Sequence, residues 1–272
     1  VSRYAVAGLG LIGGSLALAL HAQGWDRDPD ARRRARAKGI DTVDSLEAAL
    51  AGADVAFLAV PTGHTPALLS EAARARPEAL FSDCASLKVP VVRAAEGLPD
   101  GVRFVGGHPM AGSHRRGVEG ADPALFRGRP WALTPTARSD AAAERRISET
   151  VAALGALPVV VDAERHDAAM TRVSHLPHAV AAALATVAGA LGREDAARLA
   201  GPGLKDATRL AESPMELILE LAMADPRALA DAIGEVGTEL ARLAEALRSG
   251  DATAVRAFFD RAADARRVIV PS

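Results

Sequence analysis

The sequence predicts an α/β protein, with an N-terminal Rossmann-like doubly wound sheet followed by an all-helical C-terminal domain. Three observations carry this. A Gly-x-Gly-x-x-Gly turn, Gly8 to Gly13, follows the first apolar run. Strand-like and helical stretches then alternate as far as Asp162, a pattern that implies parallel pairing with right-handed crossovers. From Ala163 to Val270 the strand signal stops, and the chain is Ala/Leu/Arg/Glu-rich with helical periodicity. The expected division is therefore 1–162 and 163–272.

In chain order, Arg3–Leu9 reads as a short strand and Leu11–Gln23 as a helix. Only Gly24-Trp25 then remains for a second strand. Either this helix is shorter than its composition suggests, or the chain lacks part of a strand there. Ala53–Val60 is a buried strand stopped by Pro61. Ala79–Asp83, Arg103–Gly106, Trp131–Pro135 and Leu157–Asp162 are further strands. Helical stretches between them include Ser45–Gly52, Thr65–Ala75 and Asp140–Gly155. In the second domain a long helix over Ala163–Leu191 contains Pro177, which removes a backbone donor and predicts a kink.

Composition excludes several classes. The 272 residues carry a formal net charge of −2, so there is no global electrostatic case for nucleic acid or an anionic membrane. The Arg32–Arg34 run with Arg36 reads as a solvated helix face. Cys84 is the single cysteine, so no intrachain disulfide is expected. No run reaches the ~18 apolar residues that span a bilayer. The chain opens directly on a strand-like segment rather than a secretory signal, and a cytoplasmic protein is expected. Of the 32 basic residues only Lys38, Lys88 and Lys205 are lysines. Lys is a compact point charge where Arg is a planar fork, so these positions point to sites that need the former.

The turn Gly8-Leu9-Gly10-Leu11-Ile12-Gly13 sits between strand and helix, the context in which it binds a dinucleotide. The first glycine permits the tight turn, the second lets backbone approach a pyrophosphate, and the third lets helix and strand pack closely. The helix N-terminus offers free N–H groups to the phosphates. Asp26, with Asp28 as the other candidate, lies near the ~20-residue offset expected for a ribose-binding acid. It favours NAD, whereas the neighbouring Arg27 leaves NADP possible. Val60 and Pro61, ending the next strand, complete the expected cofactor site.

Four further motifs follow in order: Ser82-Asp83-Cys84-Ala85-Ser86-Leu87-Lys88, Gly106-Gly107-His108-Pro109-Met110-Ala111-Gly112-Ser113, Ser174-His175-Leu176-Pro177-His178, and Gly203-Leu204-Lys205-Asp206-Ala207-Thr208-Arg209. With the glycine turn they resemble the prephenate/arogenate dehydrogenase family of tyrosine biosynthesis, over nearly the whole chain. The resemblance implies a dinucleotide-binding domain and a helical substrate and dimerisation domain, hence a homodimer. It implies an oxidative decarboxylation of prephenate to 4-hydroxyphenylpyruvate, or of arogenate to tyrosine, with NAD as acceptor.

Such chemistry needs a base for the substrate hydroxyl, and a neutral imidazole near pH 7 suits it. His108, expected in a glycine-rich loop after a strand, is the matched base, and Ser86 the matched hydroxyl that orients it. The bland alternative for His108 is a turn histidine packed on Pro109. Prephenate is a dianion. Arg209 matches the family's ring-carboxylate ligand, and Lys205, four residues earlier on the same helical face, adds a second charge. Ser113 and His175 are the remaining candidate substrate contacts, with His178 as a further polar pocket residue. Lys88 is an alternative cation that could instead bond backbone near Asp83.

His166, His175 and His178 suggest a metal site, but no cysteine or ordered carboxylate set completes one, so no metal is expected. A hydroxyacid dehydrogenase or imine reductase of the same architecture would use a lysine on the long helix, and Ala163–Leu191 has none. A non-catalytic nucleotide-binding protein is disfavoured by His108, Ser86 and Arg209 occurring together. The chain departs from the family at His114, where many relatives carry an acid that gates the pocket.

Overall fold

A computed structural model describes residues 3–112, 115, 117–190 and 198–270. The chain divides into two compact units, Val1–Asp167 and Ala168–Ser272.

The first unit is built on a seven-stranded sheet: β1 (Tyr4–Ala7), β2 (Gln23–Trp25), β3 (Val55–Leu58), β4 (Leu80–Asp83), β5 (Arg103–Pro109), β6 (Pro130–Thr134) and β7 (Leu157–Val160). Their spatial order is β2-β1-β3-β4-β5-β6-β7. Strand order reverses direction at β1, which pairs with β2 on one side and β3 on the other. That is the switch point where open α/β sheets bind ligands. Alternate strand residues feed two cores. Val6, Phe57, Leu80 and Val105 pack on one face, while Ala7, Leu58, Phe81 and Phe104 pack on the other. Helices α1 (Leu11–Leu20) and α6 (Ala141–Ala153) cover the first face. The second is covered by α3 (Leu46–Leu50), α4 (Thr65–Ala75) and α5 (Val89–Glu96). The remaining helix, α2 (Pro29–Ala37), carries the arginine run and is capped by the Asp28 side chain.

Four expectations need correction. The first helix ends at Leu20, not Gln23, because His21 takes the left-handed conformation at φ 49°. Gln23 thus joins β2, and the second strand is short but present. On the outer side of β2, Gly24 forms an isolated parallel bridge to Thr42. Pairing is also not parallel throughout, since β5 and β6 run antiparallel. Among the described residues between them the helical content is one 3-10 turn, Val118–Gly120, and an antiparallel pair needs no crossover helix.

The third correction concerns the position of His108. Strand β5 runs on through Gly106 and Gly107, so His108 is a strand residue facing Ala132 of β6 rather than part of a loop. Glycine weakens a strand, so a propensity reading stops at these positions. The fold requires them for another reason. A Cβ at Gly106 would fall 2.0 Å from Thr134 Oγ1, and one at Gly107 would fall 2.5 Å from the Asp83 carbonyl oxygen. Both glycines mark close approach of neighbouring strands.

After β7 comes α7 (Ala163–Met170), which carries the chain into the helical unit. Pro177 does not sit inside one long helix. A π-helical turn, Thr171–His175, separates α7 from α8 (Leu176–Gly189), and Pro177 lies in the first turn of α8, where its missing N–H costs little. Among the described residues the other α-helices of this unit are Pro202–Thr208, Met215–Ala222, Pro226–Ser249 and Ala252–Ile269. No helix among the described residues is long and apolar enough to cross a membrane.

Candidate active site

The glycine turn leaves β1 at the carboxyl edge of the sheet. Gly8 adopts φ +100°, and a Cβ there would meet the Ala59 carbonyl oxygen at 2.4 Å. At Gly13 a Cβ would fall 1.8 Å from the Gly8 oxygen. Packing within the protein therefore accounts for these two. Gly10 differs: a Cβ there meets nothing within 4 Å. It is the N-cap of α1, and its bare backbone faces open space, which fits close approach of a phosphate to a helix N-terminus. The adjoining cavity of about 480 Å³ is lined by Gly8, Gly10, Trp25, Asp26, Arg27, Val60 and Pro61 among others. Leu11 and Ile12 form the first turn of α1 beside it.

Asp26 is already engaged. Its Oδ2 accepts the Leu9 amide at 2.8 Å, and its Oδ1 accepts the Asp28 amide at 2.9 Å. It thereby ties the end of β2 to the glycine turn. A carboxylate has further lone pairs, so both oxygens can still accept from a ribose. Arg27 is exposed at the same cavity. These residues fit a dinucleotide.

Strands β1, β3, β4 and β5 are mutually parallel, so the glycine turn, Val60-Pro61, Ser86 and His108 all follow or end strands at one edge. His108 is half-buried. Its Nδ1 lies 2.9 Å from Nε2 of His166. Ser86 is half-buried in the turn after β4 and, among the described residues, makes no side-chain hydrogen bond.

Beneath His108 lies a charged clamp. Lys88 and Asp83 are both fully buried and paired through Nζ and Oδ2. Lys88 Nζ also donates to the Gly107 carbonyl oxygen at 2.5 Å, and Asp83 Oδ1 accepts the Gly107 amide at 2.9 Å. By sequence alone Lys88 is either a substrate cation or a structural group. Its burial and its two partners, Asp83 and the Gly107 carbonyl, make it a structural one, locking β4 to the residue before His108. Cys84, next to this pair, has its thiol pushed up by burial first and by the Asp83 charge second, so it stays protonated.

In the helical unit the sequence candidates are dispersed over its elements. His175 is buried at the end of the π turn, and His178 Nδ1 lies 2.8 Å from the Ser174 carbonyl oxygen. Both line a cavity of about 190 Å³ with Leu210, Ala211 and Ser213. The Pro202–Thr208 helix stops before Arg209, which opens a 3-10 turn, so Lys205 and Arg209 do not share a continuous α-helical face as expected. Both are exposed and, among the described residues, neither has a carboxylate partner. Ser113 and His114 lie outside the described residues. His166, grouped in the sequence with His175 and His178, belongs instead with His108. Its adjacency to Asp167 was the one available signal, and no spacing rule links it to His108.

Comparison with known proteins agrees with this geometry. Residues 16–160 match the prephenate dehydrogenase nucleotide-binding domain, and residues 162–261 match the prephenate dehydrogenase dimerization domain. A prephenate dehydrogenase of Lactococcus lactis subsp. cremoris is 31% identical over 283 residues, spanning 99% of this chain and 78% of the relative. The crystal structure of Synechocystis arogenate dehydrogenase superposes with a TM-score of 0.84 at 28% identity, covering 98% of this chain and 100% of that one. A prephenate dehydrogenase from A. aeolicus, solved with hydroxyphenyl propionate and NAD+, gives a TM-score of 0.87 at 25% identity over 98% of each chain. With both of its parts matched in sequence order and a relative of this identity along almost its whole length, the chain belongs to the prephenate dehydrogenase family.

Proposed function

We propose that this chain converts prephenate to 4-hydroxyphenylpyruvate by NAD-dependent oxidative decarboxylation, with His108 as general base. The observation that carries this reading is an imidazole at the same sheet edge as a phosphate-binding glycine turn. NAD+, when bound, supplies the two-electron acceptor. His108 takes the proton of the ring hydroxyl, and Ser86 orients that hydroxyl and the imidazole. Loss of the ring carboxylate as CO₂ then leaves an aromatic ring, which makes the step irreversible. Arg209 holds the ring carboxylate, Lys205 adds positive charge, and Ser113 and His175 are polar substrate contacts. Arogenate is the second reading, favoured by the likeness to the Synechocystis enzyme.

The test is NADH or NADPH production from prephenate and from arogenate, each with NAD+ and NADP+. Asp26 repels a 2′-phosphate while Arg27 tolerates one, so the expected result is preference for NAD+ rather than exclusion of NADP+. Equal or higher kcat/KM with NADP+ would remove Asp26 from cofactor choice. No turnover of either substrate with either cofactor would sink the functional reading as a whole.

Arg209→Gln is expected to raise the KM for prephenate by about ten- to a hundredfold. A charge-assisted bond is worth roughly 1.5–3 kcal/mol net, at 1.4 kcal/mol per decade. The carboxylate is present in the ground state, so kcat falls less. Arg209→Lys recovers part of the loss, since Lys lacks the bidentate fork. An unchanged prephenate KM in folded Arg209→Gln protein would make this an ordinary surface arginine.

We also propose a cytoplasmic homodimer assembled through the helical unit. The exposed apolar residues Val180, Leu184, Val187, Ile233 and Leu240 support this, and a monomer in light scattering would refute it.

A further inference from the structure

The imidazole of His108 is the outer member of a chain of three side chains. Its ring meets that of His166 edge to face, with centroids 5.1 Å apart and planes at 70°, and Nδ1 of His108 lies 2.9 Å from Nε2 of His166. The second nitrogen of His166, Nδ1, lies 2.7 Å from Oδ1 of Asp167. The Asp167 carboxylate is itself anchored by backbone. Oδ1 accepts the Lys88 amide at 2.8 Å, and Oδ2 accepts the Val89 amide at 2.9 Å. His166 is buried, and all three residues belong to the Val1–Asp167 unit.

With His166 neutral, hydrogen-bond chemistry gives this chain one protonation pattern. Burial by itself would push the Asp167 carboxyl up. The His166 bond and the two amides outweigh that and hold it below the usual carboxylate range, so it is ionised at neutral pH. An ionised carboxylate only accepts, so Nδ1 of His166 carries the hydrogen. A neutral imidazole has one donor and one acceptor, which leaves a lone pair on Nε2 of His166. Nδ1 of His108 must then donate to it, and the lone pair of His108 is on Nε2.

We propose that His166 and Asp167 are positioning residues that hold His108 in its Nδ1–H tautomer, so that Nε2 is the nitrogen that accepts the substrate's hydroxyl proton. This rests on the reading of His108 as the base. In the step itself the substrate O–H bond breaks and an N–H bond forms at Nε2, with the electron pair of the O–H bond remaining on oxygen. The positive charge that appears on His108 is met by the Asp167 carboxylate, relayed through the polarised His166 ring. The arrangement has the same logic as a buried carboxylate that sets the tautomer of a catalytic histidine, with a second histidine inserted between them.

The experiment combines tautomer spectroscopy with kinetics. Protein labelled with ¹⁵N-histidine, its His108 signals assigned by comparison with His108→Asn, should show a protonated, pyrrole-type Nδ1 and an unprotonated, pyridine-type Nε2 above the histidine titration. A protonated Nε2 in the wild-type protein would overturn the proposal without any variant. In His166→Phe the His108 signals should move toward a mixture of tautomers. There kcat should fall by about ten- to a hundredfold, part of the 10²–10⁴ that a general base contributes, with the prephenate KM within about twofold. His166→Gln keeps an acceptor toward His108 and a donor toward Asp167, and should restore both the tautomer and most of kcat. A His108 tautomer unmoved in folded His166→Phe overturns the positioning role. A shifted tautomer with wild-type kcat overturns instead the assignment of His108 as base.

Discussion

His108→Asn is expected to leave the fold and NAD+ affinity intact while lowering kcat by at least about 100-fold, a usual general-base contribution. The residue is half-buried on β5, and its backbone pairs with Ala132, so a side chain of similar polarity disturbs little of the ladder. Asn can still accept a bond from the substrate hydroxyl but cannot take its proton. Wild-type kcat should also decline as the pH is lowered, because a protonated imidazole is no base. In the variant that acid limb should vanish. Steady-state kinetics across pH, with NAD+ binding measured separately, checks both parts. Near-wild-type kcat in His108→Asn would remove this residue from the chemistry.

Lys88→Met is expected to destabilise the protein by about 3–5 kcal/mol, the usual consequence of leaving a buried charge without its partner. At 1.4 kcal/mol per decade this is roughly two to three and a half orders of magnitude in the folding equilibrium. Asp83 would remain fully buried, still bonded to the Ala85 and Gly107 amides but without the ammonium. Adding Asp83→Asn should recover much of the loss. The amide keeps an acceptor for Gly107 N–H and removes the uncompensated charge, and a buried ion pair taken out as a pair is often close to neutral. Urea unfolding of the single and double variants makes the comparison. A single variant as stable as wild type would mean that the clamp contributes nothing to the fold.

Much of the proposed site is legible in the sequence. The glycine turn, Asp26, Val60, Pro61, Ser86 and His108 are each marked by residue type and by distance from a strand, and both signals are local in sequence. The motif-based resemblance placed the chain in the family that the comparisons support. What escaped was long-range. His166 lies 58 residues from His108, and the Asp167 carboxylate binds amides 78 and 79 residues away. No periodicity connects such positions. In the sequence His166 was grouped with His175 and His178 because they are neighbours along the chain.

The sequence by itself determined the fold class and the place of the glycine turn, and it put forward His108 as the proposed base, because binary patterning and glycine placement act over a few residues. Only the tertiary structure decided that this strand continues past Gly106 through Gly107 and His108, since the requirement for glycine at 107 comes from atoms of β4 and β6 rather than from its own propensity. It likewise decided that Lys88 is a buried clamp and not a substrate cation, because burial is a property of the packed sheet and not of the residue. The tautomer proposed for His108 rests on that packing too. Which nitrogen carries the hydrogen depends on a carboxylate held by two backbone amides across the fold, and that arrangement exists only once the strands and helices have packed.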